Sequence, residues 1–129
     1  MIKAIGTDLL KKSRIKKIYL KYGDKFLAKI LSQEEKNEFI IKPSLSKKIN
    51  YLSNNFASKE AVSKVLGTGF SKGVSPQDIS VLRSKNGDPF TRLSGKANLR
   101  AKDLLIDEIH ISVSDTEKHS LAFAIGETL

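Results

Sequence analysis

The sequence contains no cysteine and no tryptophan, only three prolines and only two histidines. Without cysteine, disulfides, thiol catalysis and Cys/His metal clusters are excluded. Neither a Walker-type P-loop nor a Rossmann glycine motif is present. No run approaches the roughly 18 apolar residues of a membrane span, and the apolar N-terminus is too short for a signal sequence. We therefore expect a cytoplasmic protein with no membrane partner.

Arginine is also scarce, since 19 of the 23 basic residues are lysine. The net charge of +9 implies an acidic partner, and residues 1–30 carry most of it, with nine basic and two acidic side chains. A small basic nucleic-acid-binding protein is therefore one alternative. Bidentate reading of phosphates and bases favours arginine, and stacking on bases needs aromatic side chains, so the composition argues against nucleic acid as the partner.

Length and composition favour one domain spanning residues 1–129, because 40% hydrophobic content can fill a core of that size. Helical spacing comes first and alternating strands later, which predicts an α+β domain with an antiparallel sheet and a long central helix. The predicted elements are a buried strand at 2–9, helices at 13–22, 24–31, 33–41 and 46–66, a strand at 78–84, a helix at 94–105 and strands at 109–113 and 121–125.

Local signals support several of these boundaries. Ser13 is expected to cap the first helix, with Tyr22 facing inward at its end. The spacing of Ser32 and Glu35 predicts a capping box. Asn86-Gly87 predicts a hairpin with a two-residue loop.

The central helix places a carboxylate and an ammonium group on a side that is otherwise apolar. Glu60 continues the helical track of Leu52 and Phe56, and Lys64 follows it by four residues. The spacing fits an ordinary i,i+4 salt bridge, worth about 0.2–0.5 kcal/mol. It fits equally well a carboxylate and an ammonium group that take part in a chemical reaction. Gly67 stands where a left-handed helix terminus favours a residue without a Cβ.

Charged and polar residues on the first strand, the central helix and a late strand could together bind a metal ion and a phosphate group. Asp8 ends the first strand as a turn residue or as a ligand. If this strand packs beside the central helix, Asp8 and Glu60 together suit Mg²⁺, and Lys64 suits a phosphate held by it. Ser112 and Ser114 share one strand face, where they can donate to phosphate oxygens or simply be polar residues of a half-exposed strand.

Eight blocks carry a family resemblance, and they extend in order along nearly the whole chain: Met1–Leu10, Ser13–Ile15, Phe56–Ala61 with Lys64, Leu66–Gly69, Asp78–Val81, Asn86–Pro89, Leu93–Gly95 and Ile111–Ser114. Together they closely resemble the holo-acyl-carrier-protein synthases, the small, trimeric type of 4′-phosphopantetheinyl transferase. The resemblance implies the fold of that family and a homotrimer with coenzyme A clefts between its subunits.

The resemblance also implies a reaction and its catalytic residues. The phosphopantetheine arm of coenzyme A is transferred to a serine of an acidic acyl carrier protein, and adenosine 3′,5′-bisphosphate is released. Asp8 and Glu60 are then the expected Mg²⁺ ligands, with Lys64 on the diphosphate. Either Glu60 or a metal-bound water takes the serine proton.

Further binding residues follow from the same resemblance. Coenzyme A is expected to contact Lys64, Gly67, Thr68, Ser112 and Ser114. A basic ridge on the first helix is expected to dock the acidic carrier protein, and it consists of Arg14, Lys17 and Lys21.

Two positions depart from the family pattern, because Asn55 stands in place of an arginine and Asp115 in place of a histidine. The nucleotide contacts are then expected to come from other lysines, namely Lys47, Lys48 or Lys59. A trimeric binding module that has lost catalysis remains a third interpretation.

Overall fold

The chain folds around one long helix that lies against a three-stranded antiparallel sheet. A computed structural model describes all 129 residues. The strands are β1 (Ile2–Lys11), β2 (Ile79–Arg83), β3 (Pro89–Leu93), β4 (Glu108–Asp115) and β5 (His119–Glu127). The helices are α1 (Lys12–Tyr22), α2 (Asp24–Ile30), α3 (Gln33–Ile40), α4 (Leu45–Val65) and α5 (Gly95–Asp103), with a 3₁₀ helix at Pro76–Asp78. The predicted α+β fold is confirmed.

The main sheet has the order β1-β5-β4, and β2 pairs with β3 in a separate antiparallel ribbon. Its inner face is built from small residues where α4 packs. A Cβ atom on Gly6 would lie 2.2 Å from the carbonyl oxygen of Ala61, so only glycine allows this approach of strand and helix. Ala122 and Ala124 are fully buried on the same face. The small residues bring α4 close to β1 and β5.

Helix α4 begins and ends at sequence signals. The Ser44 side chain accepts a hydrogen bond from the Lys47 amide at its N-terminus. At its C-terminus, Gly67 has a φ of +72°, the left-handed conformation that favours glycine. The predicted helix over 46–66 is thus confirmed to within one residue at each end. None of the five helices combines the length and the hydrophobicity that a membrane crossing requires.

Strand β1 is not buried as predicted. Its residues alternate, so that Gly6 and Leu10 face α4 while Ile5 and Leu9 are 61% and 66% exposed. We call the outer side of the sheet the open sheet face. Its exposed apolar side chains come from β1 and β5, with Leu9 opposite Leu121, and they are Ile5, Leu9, Leu121 and Phe123. The sequence showed apolar residues on both faces, but only one face is covered within the chain.

The predictions for the first helix and for the hairpin need correction. Ser13 does not cap α1, because β1 continues directly into the helix and Lys11 takes the cap position without a side-chain bond. Tyr22 is 51% exposed, not inward-facing. The hairpin at Asn86 has a three-residue loop, since the Ser84 amide bonds to the Asp88 carbonyl oxygen. The capping box of Ser32 is confirmed, with both of its hydrogen bonds formed.

A buried ion pair connects α4 to the rest of the core. Lys59 Nζ lies 2.6 Å from Glu35 Oε1, and both side chains are fully buried. Lys59 also donates to the carbonyl oxygens of Pro76 and Ile79. Asn55 donates to Glu35 Oε2 at 2.8 Å. Burial lowers the pKa of Lys59, whereas the Glu35 carboxylate acts in the opposite direction. The carboxylate and the two carbonyl oxygens therefore compensate the ammonium group for its lost contact with water.

Replacing Lys59 with methionine is expected to lower the free energy of unfolding by about 3–5 kcal/mol, because the Glu35 charge is left buried and unpaired. The double variant Lys59→Met/Glu35→Leu is expected to recover part of that loss, since it buries no charge. Urea unfolding followed by circular dichroism measures both, with the exposed Lys85→Met as the control. A cost of Lys59→Met no larger than that of Lys85→Met would contradict the account.

Candidate active site

Strand β1 and helix α4 bring two carboxylates to one place. Asp8 lies on the inner face of β1, opposite Ala122 of β5, with its side chain 20% exposed. Glu60 lies on α4 next to Ala61, the residue against which Gly6 packs. The charge of Asp8 raises the pKa of Glu60, so the two groups are close enough to interact. The strand and helix packing required for their convergence is therefore present.

Lys64 contacts β1 rather than its helical neighbour. Its Nζ donates to the carbonyl oxygen of Thr7 at 2.7 Å and lies 3.7 Å from Asp8 Oδ1. The i,i+4 ion pair with Glu60 that the spacing allows is not formed, so that interpretation was wrong. Lys64 remains 54% exposed. Its ammonium group is therefore accessible to a ligand beside the carboxylates.

Burial sets the electrostatics of the carboxylate pair. Desolvation raises the pKa of Asp8, and the nearby Lys64 and Arg14 partly offset it. The pKa of Glu60 is raised first by desolvation and then by the charge of Asp8, again against Lys64 and Arg14. Two partly desolvated carboxylates that repel each other are stabilised by a cation. Oxygen ligands of this type suit Mg²⁺.

Residues of the basic ridge divide into two groups. Arg14, Lys17 and Lys21 are all exposed on α1, as the sequence predicted. Arg14 also lowers the pKa of both Asp8 and Glu60, so its guanidinium group acts on the carboxylate pair itself. Lys17 and Lys21 have no acidic partner in the chain. The helix thus extends a positive surface away from the site.

Gly67 and Thr68 form the turn that ends α4. The Gly67 amide bonds to the carbonyl oxygen of Lys64 at 3.1 Å, and the Thr68 amide to that of Ser63 at 3.3 Å. Arg100 Nε donates to the carbonyl oxygen of Leu66 at 2.9 Å and so holds the turn to α5. The turn therefore lies about two helical turns beyond Glu60, just after the C-terminal end of α4.

Ser112 and Ser114 lie on the open sheet face, where both are exposed. They pair across the sheet with Phe123 and Leu121. The prediction that they share one face is confirmed. Asp8, in contrast, faces α4, so a single chain holds the two serines and the carboxylate on opposite sides of the sheet.

The departures from the family pattern have structural roles. Asn55 is fully buried, donating to Glu35 and to the carbonyl oxygen of Val81 and accepting from Arg83. Lys59 is also buried, so the expectation that it contacts a nucleotide was wrong. Lys47 and Lys48 are more accessible at the start of α4.

A second ion pair, between Lys12 and Asp115, was not predicted from the sequence. Asp115 Oδ2 lies 2.8 Å from Lys12 Nζ, and this hydrogen bond is the main reason that the pKa of Asp115 is lowered. The two residues are 103 positions apart. No local spacing signals such a pair.

Together the fold and these groups define a class of protein, a small α+β domain with two carboxylates and adjoining cations between its first strand and its longest helix. A family model described as the 4′-phosphopantetheinyl transferase superfamily matches residues 4–124. The chain belongs to this family, and the resemblance found in the sequence is confirmed.

Relatives extend over the whole chain. The holo-[acyl-carrier-protein] synthase of Aliivibrio fischeri (strain MJ11) is 39% identical over 127 residues, covering 98% of each chain. The crystal structure of the same synthase from Neisseria meningitidis matches with a TM-score of 0.89 and 34% identity, covering 99% of this chain and 100% of that one. The Bacillus anthracis synthase, solved in complex with CoA (3′,5′-ADP), matches with a TM-score of 0.83 and 31% identity, covering 100% and 99%.

Proposed function

We propose that this protein transfers the 4′-phosphopantetheine arm of coenzyme A to a serine of an apo acyl carrier protein. The observation that carries the proposal is the convergence of Asp8, Glu60 and Lys64 in a chain whose relatives are named holo-[acyl-carrier-protein] synthase. Coenzyme A is the donor, in line with the Bacillus anthracis complex. The step forms a bond between the serine oxygen and the pantetheine-side phosphorus. It breaks the diphosphate bond and releases adenosine 3′,5′-bisphosphate and the serine proton.

The charges at the site meet the electrostatic demand of this step. A diphosphate repels an attacking oxygen, and the leaving phosphate gains charge as the bond breaks. Lys64, exposed beside Asp8, neutralises a phosphate oxygen there. Arg14 adds a second positive charge near the carboxylates. The raised pKa of Glu60 brings this carboxyl closer to the range in which it can exchange a proton at neutral pH.

Asp8 and Glu60 are the residues that would hold Mg²⁺. They fit it because they are hard oxygen donors, partly desolvated, close enough for the charge of Asp8 to act on Glu60, and both still partly exposed. When bound, Mg²⁺ neutralises diphosphate charge and orients the phosphates. Their placement on two rigid elements keeps the donors at a fixed separation.

The active assembly is a homotrimer with sites between its subunits. The open sheet face exposes Ile5, Leu9, Leu121 and Phe123, a contiguous apolar surface that calls for a covering partner. Ser112 and Ser114 lie on that same face, away from Asp8. A ligand that contacts both the serines and the carboxylates therefore needs two subunits, with Gly67 and Thr68 contributing their turn.

The carrier protein docks on α1. Arg14, Lys17 and Lys21 form a positive surface that complements an acidic carrier, and such an association weakens as salt rises. Arg14 belongs to both this surface and the carboxylate site. It therefore connects carrier docking with the diphosphate.

The transfer is tested by incubating the protein with an acidic apo carrier, coenzyme A and Mg²⁺, and then weighing the intact carrier by mass spectrometry. We expect a gain equal to one phosphopantetheine arm, and no gain for a carrier whose acceptor serine is replaced by alanine. A wild-type protein that leaves the carrier unchanged would reject transfer and favour the binding module without catalysis. Retention on DNA at physiological salt, together with an unchanged carrier, would favour the nucleic-acid alternative.

A further inference from the structure

We propose that Lys12 and Asp115 are positioning residues, a clasp that fixes the carrier-docking helix α1 relative to the carboxylate site. The inference rests on the proposed function for its consequence in catalysis. The structural part of the inference is that the pair restrains α1, and this part can be tested by a measurement that does not require enzymatic activity. Neither residue touches the carboxylate pair, and neither is part of the basic ridge.

The clasp joins the start of α1 to the turn between β4 and β5. Lys12 Nζ lies 2.8 Å from Asp115 Oδ2, and the Lys12 side chain is only 8% exposed. The Lys12 amide also donates to the carbonyl oxygen of Lys118 at 2.8 Å. The first residue of α1 is therefore held to this turn by its backbone and by its side chain.

Helix α4 completes the clasp from the other side. Asn54 Nδ2 approaches the same oxygen, Asp115 Oδ2, at 3.5 Å. Ser120 Oγ donates to Asn54 Oδ1 at 2.6 Å and so fixes the orientation of the amide. The hydrogen bond and charge of Lys12 dominate the lowering of the pKa of Asp115, and Asn54 and Lys47 add to it. Three elements of the site, α1, α4 and β4, thus meet at one carboxylate.

Burial makes the pair consequential. The Lys12 side chain is 8% exposed and that of Asp115 is 40% exposed, so an ammonium group without its carboxylate turns toward solvent or another acceptor, which loosens the start of α1. Arg14 follows Lys12 by two residues and acts on Asp8 and Glu60. A shift at the start of the helix therefore displaces both the guanidinium group at the site and the ridge beyond it.

The ammonium group of Lys12 is paired with Asp115, and the Lys12 side chain is only 8% exposed, so it is not a docking charge. This distinguishes the clasp from a loss of positive charge on α1. Lys16 provides the matched control, because it is exposed on the same helix and has no ion-pair or hydrogen-bond partner. Lys16→Met removes the same charge and leaves the clasp intact.

The kinetic test compares Lys12→Met, Asp115→Asn and the double variant. We expect each single change to raise KM for the carrier about five- to tenfold, with KM for coenzyme A changed less than about twofold. The double variant is expected to resemble the single ones, because one interaction is lost in all three. Lys16→Met is expected to raise the carrier KM less than about twofold. Additive effects of Lys12→Met and Asp115→Asn, or an equal effect of Lys16→Met, would overturn the clasp.

Hydrogen exchange supplies a readout that does not depend on activity. Amides in the first turns of α1 and in the β4–β5 turn are expected to exchange faster in Lys12→Met and in Asp115→Asn, and at the wild-type rate in Lys16→Met. Unchanged exchange in both clasp variants would overturn the proposal. If the wild-type protein transfers no arm, the proposed function fails, and faster exchange in these variants would still establish the clasp.

Discussion

Replacing Glu60 with glutamine is expected to lower turnover with coenzyme A and carrier by about 10²- to 10³-fold. The amide keeps the size of the side chain, but it cannot hold a cation as a carboxylate does and it accepts no proton. Asp8→Asn is expected to have an effect of similar size. The double variant is expected to lose little more, because the two carboxylates act as a unit. Steady-state rates from the mass of the carrier measure all three.

Thermal melting separates this loss of activity from misfolding. Desolvation raises the pKa of both carboxylates in the folded chain, and the charge of Asp8 raises the pKa of Glu60 further, so these two groups bind more protons in the folded state than in the unfolded one. The contribution of these two carboxylates to the free energy of unfolding of the metal-free protein therefore falls as pH rises from their ordinary pKa values of 3.8 and 4.5 through their raised ones. A neutral amide removes this cost, so Glu60→Gln is expected to melt no lower than wild type at neutral pH.

Mg²⁺ provides the matching binding experiment. Excess Mg²⁺ is expected to raise the melting temperature of wild type and of the control Asp103→Asn, an exposed carboxylate on α5. It is expected to leave the melting temperature of Glu60→Gln unchanged. Full activity of Glu60→Gln, or an equal response of its melting temperature to Mg²⁺, would contradict the assignment of Asp8 and Glu60.

Replacing Phe123 with glutamate is expected to convert the proposed homotrimer to monomers and to reduce transfer by at least about 100-fold. Phe123 lies on the open sheet face, 37% exposed in the single chain, beside Leu121 and Ser112. A charge buried at the centre of an apolar interface is left unpaired, which costs several kcal/mol per subunit. Since the serines and the carboxylates lie on opposite sides of one chain, a monomer is expected to lack a complete site.

Light scattering coupled to size exclusion measures the mass of the assembly. The control is Leu99→Glu on α5, because Leu99 is 59% exposed and lies outside the sheet. We expect this variant to remain trimeric and active. A wild-type protein that is monomeric and active, or a monomeric Phe123→Glu with full activity, would reject sites between subunits.

The elements that could be predicted from the sequence are those with strong local signals. Helix α4 is bounded by a serine cap and a left-handed glycine, so both ends were correct to within one residue. Ser32 and Glu35 form their capping box because both partners lie within one turn. The alternation in β4 and β5 likewise reports a local period of two. Each signal is carried by residues that are neighbours along the chain.

Two local predictions failed, the Ser13 cap and the two-residue loop at Asn86. The errors at the site itself involve contacts between residues that are distant in sequence. Lysine is usually exposed, yet Lys59 is buried because Glu35 lies beside it from 24 positions away. Lys64 pairs with Asp8 across the strand and helix contact, although Glu60 lies one turn away on its own helix. Apolar residues such as Ile5 indicate a sheet face that packs against another surface. The sequence does not indicate whether that surface belongs to the same chain or to another one.

The mass of the carrier tests the central claim most directly when three proteins are compared side by side: wild type, Glu60→Gln and Asp103→Asn. With coenzyme A and Mg²⁺, wild type and Asp103→Asn are predicted to convert the apo carrier to a species heavier by one phosphopantetheine arm, with one adenosine 3′,5′-bisphosphate released per carrier. Glu60→Gln is predicted to leave it largely unconverted. An unmodified carrier with wild type, or equal conversion by all three, would contradict the account.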